Sequence, residues 1–186
     1  MSQLYNPHSE DQVLWNAFRA GDETAFGEIA KKYYKGLFSY GIRFSADREF
    51  VKDCIQDLFY EMWAKRETLG ETGFVKFYLL KSLRRKIHRE SSRRTDIFED
   101  ADLDKMVEKV GDVSIEQHII EIENNEEQSQ LLRLLIQAMP KRQQEVIHLR
   151  FYENLDNESI AQIMSISKQG VANLLYRTIR ELKDRM

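Results

Sequence analysis

The chain has 186 residues, 42% of them hydrophobic and 32% charged, with two Pro and eight Gly, enough for one ordinary domain or two small ones. Cys54 is the only cysteine, which excludes an intrachain disulfide framework and fits a reducing, cytoplasmic setting. No apolar run approaches the roughly 20 residues of a membrane span, the polar N-terminus lacks a signal-peptide core, and a net charge of −3 argues at first sight against a free-standing DNA binder.

Strand-like alternation is nearly absent, and helical periodicity begins around residues 10–20, where Val13, Leu14, Ala17 and Phe18 are expected on one face. Gly21-Asp22 breaks that pattern. A second helix is predicted from about Glu23 to Phe44, burying Phe26, Ile29, Ala30, Tyr33, Leu37 and Tyr40 as core. The third, about Asp47 to Lys65, carries an apolar stripe of Val51, Cys54, Ile55, Leu58, Phe59 and Met62. Asp53, Gln56, Asp57, Tyr60 and Glu61 repeat the same spacing on another face. Carboxylates at i, i+4 and i+8 repel one another, so that stripe either awaits a basic protein partner or is a solvated face. Trp63 at its edge would accordingly anchor an interface or lie in the core.

Residues 66–73 read as a loop, followed by a helix from about Phe74 to Ser91. Lys81, Arg84, Arg85, His88 and Arg89 fall on one face of it, with Leu79, Leu83 and Ile87 on the apolar side. Clustered cations repel, and phosphates would relieve that repulsion with release of counterions. Phe77 and Tyr78 add rings on which an unpaired base can stack. The bland alternative is again a solvated helix face.

The segment 96–127 holds twelve acids against Lys105 and Lys109, a net charge of −10 that leaves +7 for the rest of the chain. A basic protein is thus interrupted by an acidic tether, with one short helix expected near 102–109 and another starting near Ser114 through Ile115, Ile119 and Ile122. Beyond it, helices are predicted over about Glu126–Met139 and from Pro140 through Tyr152, since Pro suits a first helical turn.

Ile160, Ala161, Met164, Ile166, Val171 and Leu174 then fall at the register of a helix-turn-helix, with Ala161 as the small residue at the crossing. Asp156 and Ser167 are the expected helix caps, and Ser165 stands in the turn where Gly is usual. Lys168, Gln169, Ala172, Asn173 and Arg177 would face outward, toward a DNA major groove, with Gln169 and Asn173 suited to an adenine edge. A helical hairpin in a bundle has the same spacing. Phe151, Leu155, Leu175 and Tyr176 are left to pack on the N-terminal module or on a partner.

The expected architecture is all-α: a helical bundle over residues 10–94, an acidic linker over 95–125 and a helix-turn-helix domain over 126–186. Nothing in the sequence suggests an enzyme. His8, His88, His118 and His148 are scattered, none sits at metal-ligand spacing with Cys54, and there is neither a Gly-rich phosphate loop nor a nucleophile elbow. No catalytic residue, metal or cofactor is expected.

Four segments in order resemble the extracytoplasmic-function sigma factors of bacterial RNA polymerase, the smallest members of the sigma-70 superfamily. Phe18-Arg19-Ala20-Gly21-Asp22-Glu23-Thr24-Ala25-Phe26 is similar to the family's N-terminal signature, and Asp53 to Trp63 to its region 2.2. Tyr78-Leu79-Leu80-Lys81-Ser82-Leu83-Arg84-Arg85 is similar to region 2.3 running into 2.4, and Met139 to Val146 with the following helix-turn-helix to region 4.

The resemblance implies that Asp53, Gln56, Asp57, Phe59 and Trp63 dock on the β′ clamp helices of core polymerase. It implies that Arg66 to Gly73, Tyr78, Lys81, Arg84, Arg85 and Arg89 open the −10 element and trap a flipped base. Lys168, Gln169, Asn173 and Arg177 would read the −35 element, region 4 would pack on the β flap, and an anti-sigma factor would control the protein. Arg85 stands where the family usually has Asn, Tyr78 where Trp is common, and Gly170, Ala172 and Leu174 replace frequent Thr, Lys and Arg. The rivals are a stand-alone helix-turn-helix regulator, which would bind a promoter without polymerase, and a sigma mimic, which would support no transcription.

Overall fold

The computed structural model describes residues 7–93 and 126–186, and the tether with its two expected helices lies outside them. Among the described residues every regular element is helical. The chain divides into two compact units, Met1–Glu99 and Asp100–Met186.

In the first unit, α1 (Pro7–Arg19), α2 (Glu23–Gly41), α3 (Arg48–Ala64) and α4 (Val75–Arg93) pack as a bundle in which α2 touches all three others. Gly21, at φ +96, allows the tight reversal between α1 and α2, and Asp22 then caps α2 by accepting from the Thr24 and Ala25 amides. The buried face of α1 keeps Phe18 of the expected set, with Leu14 and Ala17 half-buried. Trp15 and Phe18 enter the core with Asp11, while Val13 is 68% exposed. Asp11 adds a polar contact to that face. Its carboxylate accepts from the Tyr33 hydroxyl and from Lys32 Nζ, so α1 docks on α2 through a polar contact that hydrophobic periodicity does not register. Burial and the Asp11 carboxylate together push the Tyr33 phenol well above its ordinary range.

Helix α2 stops at Gly41 rather than Phe44. There a methyl group would lie 2.5 Å from Val51 Cγ1 and 3.5 Å from Ile87 Cδ1, so the absent side chain is what allows α2, α3 and α4 to approach. Asp47 caps α3 through the Phe50 amide at 3.0 Å. The expected apolar stripe of α3 is buried, except that Phe59 is only half-buried.

In the second unit, α5 (Glu126–Gln137), α6 (Lys141–Ile147) and α7 (Asn157–Met164) all contact α8 (Lys168–Arg185). The helix expected from Pro140 through Tyr152 widens into a π-helical turn at His148–Tyr152, closed by the Glu153 amide on the His148 carbonyl. This turn stacks His148 on Tyr152 and sets its Nε2 3.2 Å from Glu153.

Candidate functional site

The helix-turn-helix has the predicted caps. Asp156 Oδ1 accepts from the Ser159 amide at 2.7 Å, and Ser167 Oγ from the Gly170 amide at 2.9 Å. The Ser159 amide also holds the Asp156 carboxyl below its usual range. Ser165 adopts φ 58, the left-handed conformation in which Gly is usual, and its N–H closes α7 on the Ala161 carbonyl. Ile160, Ala161, Met164 and Val171 are buried as the register requires. The remaining core positions differ by a few places: Ile163 and Leu175 are buried, while Ile166 and Leu174 are half-buried. Phe151, Leu155 and Tyr176 are half-buried as well.

On α8, Lys168, Gln169 and Arg177 are exposed and Asn173 is half-buried. Gln169 Nε2 donates to Asn173 Oδ1 at 3.0 Å, so the two amides present one shared polar face. Asn173 keeps its NH₂ group for another acceptor.

On α3, Asp53, Gln56 and Asp57 are exposed, and Tyr60 at the centre of their face is 74% exposed. Tyr60 is absent from the contact set that the family resemblance gives, although the i, i+3, i+4 spacing already places it there. Phe59 and Trp63 occupy the edge of this face. Both are half-buried on Phe26, with ring centroids at 6.0 and 5.1 Å, and Arg66 caps the Trp63 ring at 4.7 Å.

The cationic face of α4 differs from the expected one. Arg84 is buried and does not share the exposed face with Arg85. The helix turns it inward because Leu80, Leu83 and Ile87, its neighbours on the surface of α4, are all core. Lys86, outside the expected cationic face, is 5% exposed and bonds Glu61 at 2.6 Å, with Asp57 at 3.6 Å. Arg89 lies 3.4 Å from Glu61 and 3.1 Å from Glu90. The carboxylates of α3 thus relieve part of the repulsion among the α4 cations, a pairing that no single-helix pattern reveals. The Lys86 hydrogen bond is the main cause that holds the Glu61 carboxyl below its ordinary range.

Between α3, α4 and the loop after α3 lies a cleft of about 260 Å³. Leu58 and Met62 give it apolar wall, Tyr78 and Ser82 a polar flank, and Arg85 and Lys65 a cationic rim. Burial pushes the Tyr78 phenol up, and the Ser82 side chain draws it part of the way back. Lys81 sits a turn away over the Phe77 ring at 5.2 Å. An apolar wall with a few polar groups and exposed cations suits a flat, partly apolar ligand joined to phosphate. The structure therefore brings Tyr78 and Arg85 together at the cleft, with Arg89 also lining it, and leaves Lys81 beside it and Arg84 within the bundle. Among the described residues no cluster of three or more His, Cys, Asp or Glu is placed to hold a metal ion, and no helix is long and apolar enough to cross a membrane.

Residues 129–182 match the family model for sigma-70, region 4. The RNA polymerase sigma factor SigF of Mycobacterium tuberculosis, in strains CDC 1551 / Oshkosh and ATCC 25618 / H37Rv, is 32% identical over 87 residues, which are 47% of this chain and 31% of SigF. The chain thus spans about a third of the length of these curated relatives. Among solved structures, CnrH in complex with the cytosolic domain of CnrY has a TM-score of 0.62 and 18% identity, covering 94% of this chain and 95% of that one. That likeness is one of fold.

Proposed function

We propose that the chain is an extracytoplasmic-function sigma factor of the sigma-70 superfamily, a dissociable promoter-specificity subunit of bacterial RNA polymerase, a reading supported by the region 4 match over residues 129–182. The observation that carries the reading is the region 4 match over a capped helix-turn-helix, in a chain whose fold follows CnrH over 94% of its length. In this reading residues 10–94 dock on core enzyme and open the −10 element, 95–125 tether, and 126–186 read the −35 element.

Each part has a physical basis. Asp53, Gln56, Asp57 and Tyr60 form an exposed acidic face with an aromatic centre, fit for a basic helical partner such as the β′ clamp, with Phe59 and Trp63 at its edge. The cleft at Tyr78 and Arg85 takes an unstacked base, and Lys81 and Arg89 meet the neighbouring phosphates. On α8, Lys168 and Arg177 contact backbone phosphate, and Gln169 with Asn173 contact base edges. Each DNA contact set is weak alone, and joining both on core enzyme raises the effective concentration of the second. The acidic tether keeps the free protein from binding DNA unaided. CnrH was solved with the cytosolic domain of CnrY, and in our reading this chain too is held by a protein partner, an anti-sigma factor.

Reconstitution with core polymerase tests the proposal. Wild type should give promoter-specific run-off transcripts, and a mobility shift should require core enzyme. Asp57→Arg and, farther from Lys86, Asp53→Arg should both lose core binding. Core affinity unchanged in both variants would refute the docking face, and a shift without core enzyme would favour a stand-alone regulator.

A further inference from the structure

The loop between α3 and α4, residues 66–73, reads Arg-Glu-Thr-Leu-Gly-Glu-Thr-Gly. Only Arg66–Thr68 form a 3₁₀ turn, and of the rest Leu69 alone has a large apolar side chain, itself only half-buried. Such a segment costs conformational entropy to fix in one place, and apolar packing does not offset that cost. Yet Leu69 from this loop lines the cleft beside Tyr78.

A tertiary hydrogen bond supplies the fixing. Trp15 Nε1, on α1, donates to the Gly70 carbonyl at 2.9 Å across 55 residues of sequence. Trp15 is 1% exposed, and its ring meets Tyr78 edge-on at 5.1 Å and Phe18 at 5.3 Å. A buried indole has one donor, and leaving it without an acceptor is costly, so this bond selects one loop position. Around it, Arg66 donates to the Trp63 carbonyl at 2.9 Å and Arg19 lies 3.6 Å from Glu71. The latter pair is exposed on the Glu71 side and adds little by itself. One side chain of α1 therefore touches both walls of the cleft: the loop through its N–H and Tyr78 through its ring face or edge.

We infer that Trp15 is a positioning residue for promoter opening, because its indole N–H on the Gly70 carbonyl and its ring against Tyr78 hold the two walls of the base-accepting cleft in register. The inference rests on the proposed role of that cleft. Trp15 does not touch the DNA. It sets the distance between Leu69 and Tyr78, and with it the shape that an unstacked base must fit.

The test uses the full chain on core polymerase and two promoters that differ only at the opened base of the −10 element, with opening followed by permanganate reactivity. Two variants remove the donor: Trp15→Phe, and site-specific replacement of Trp15 by 3-benzothienylalanine, which puts sulfur in place of the N–H and keeps the ring size if Phe proves too small to fold. Either should lower the ratio of opening rates on the two promoters by about fivefold, the effect of one neutral hydrogen bond, with core affinity unchanged. A loss of folded protein would slow both promoters equally and leave the ratio unmoved, so an unmoved ratio overturns the inference. Arg85→Ala run in parallel separates the two levels. If it abolishes opening while the Trp15 variants keep the ratio, only the positioning role fails; if it too leaves opening intact, the cleft itself has been misread.

Discussion

In residues 10–93 the candidate DNA surface is a cleft built by several elements, whereas in 130–186 the candidate DNA-reading side chains all project from one helix. Arg85 lines a cleft whose walls depend on α3, the 66–73 loop and, through Trp15, α1. Lys86 and Arg89 are drawn to Glu61 across the α3–α4 contact. On α8, by contrast, Lys168, Gln169, Asn173 and Arg177 project from one helix whose start is set by the Ser167 cap. Damage to tertiary contacts should therefore reach the first surface and spare the second, where each side chain can be changed nearly alone.

The largest effect should come from Gly41→Ala. An added methyl group 2.5 Å from Val51 Cγ1 forces a β-branched, buried neighbour to move, and overpacking of this kind outweighs the gain in helix propensity. The expected loss is about 2 kcal/mol. Trp15 and Trp63 are the only tryptophans and both belong to the first unit, so urea unfolding followed by their fluorescence reads it selectively. A midpoint equal to wild type would show that α2, α3 and α4 separate without cost.

The Glu61–Lys86 pair comes next. Lys86 is buried and Glu61 is not, so Glu61→Gln removes less than the roughly 3–5 kcal/mol of a fully buried pair; about 1 kcal/mol is expected, with Asp57 still 3.6 Å from the ammonium. The Glu61 carboxyl titrates lower when folded than when unfolded. Its contribution is therefore complete above the unfolded glutamate value of about 4.3 and is lost as pH falls through the folded value. The difference in stability between wild type and Glu61→Gln should shrink steadily below about pH 4. A difference independent of pH would mean that Glu61 acts through packing rather than charge.

This contrast also explains what the sequence could disclose. The helix-turn-helix was legible because its rules are local: an Asx or Ser cap, a small residue at the crossing and a 3.6-residue period all lie within a short stretch of chain. The helices of the first unit were legible for the same reason, but not the surfaces between them. Periodicity weighs apolarity and so groups Val13 with Phe18, and nothing in it anticipates that Asp11 is buried against Tyr33. Arg84 is buried among Leu80, Leu83 and Ile87, which its place in a run of cations obscures, and a helical wheel cannot say that Lys86 faces a carboxylate on the next helix. The role of Trp15 is not local either, since its partners Gly70 and Tyr78 are distant in sequence.

The smallest expected effect is the sharpest test of the contrast. Gln169 Nε2 and Asn173 Oδ1 form an i, i+4 hydrogen bond on a helix surface, worth about 0.2–0.5 kcal/mol. Gln169→Ala should thus leave the unfolding of the second unit almost unchanged. In the proposed role, it removes one base-edge contact and releases Asn173 to rotate, so discrimination at one −35 base pair should fall by about 1–2 kcal/mol while others hold. Arg177→Ala, two turns away, should weaken all sequences alike and reduce the salt dependence by about one phosphate contact. In binding competitions with core enzyme, the Gln169 and Arg177 losses should add to within about 0.5 kcal/mol. Strong non-additivity would mean that the α8 surface is as tightly coupled as the cleft of the first unit, and the distinction between a locally and a tertiarily built surface would fall.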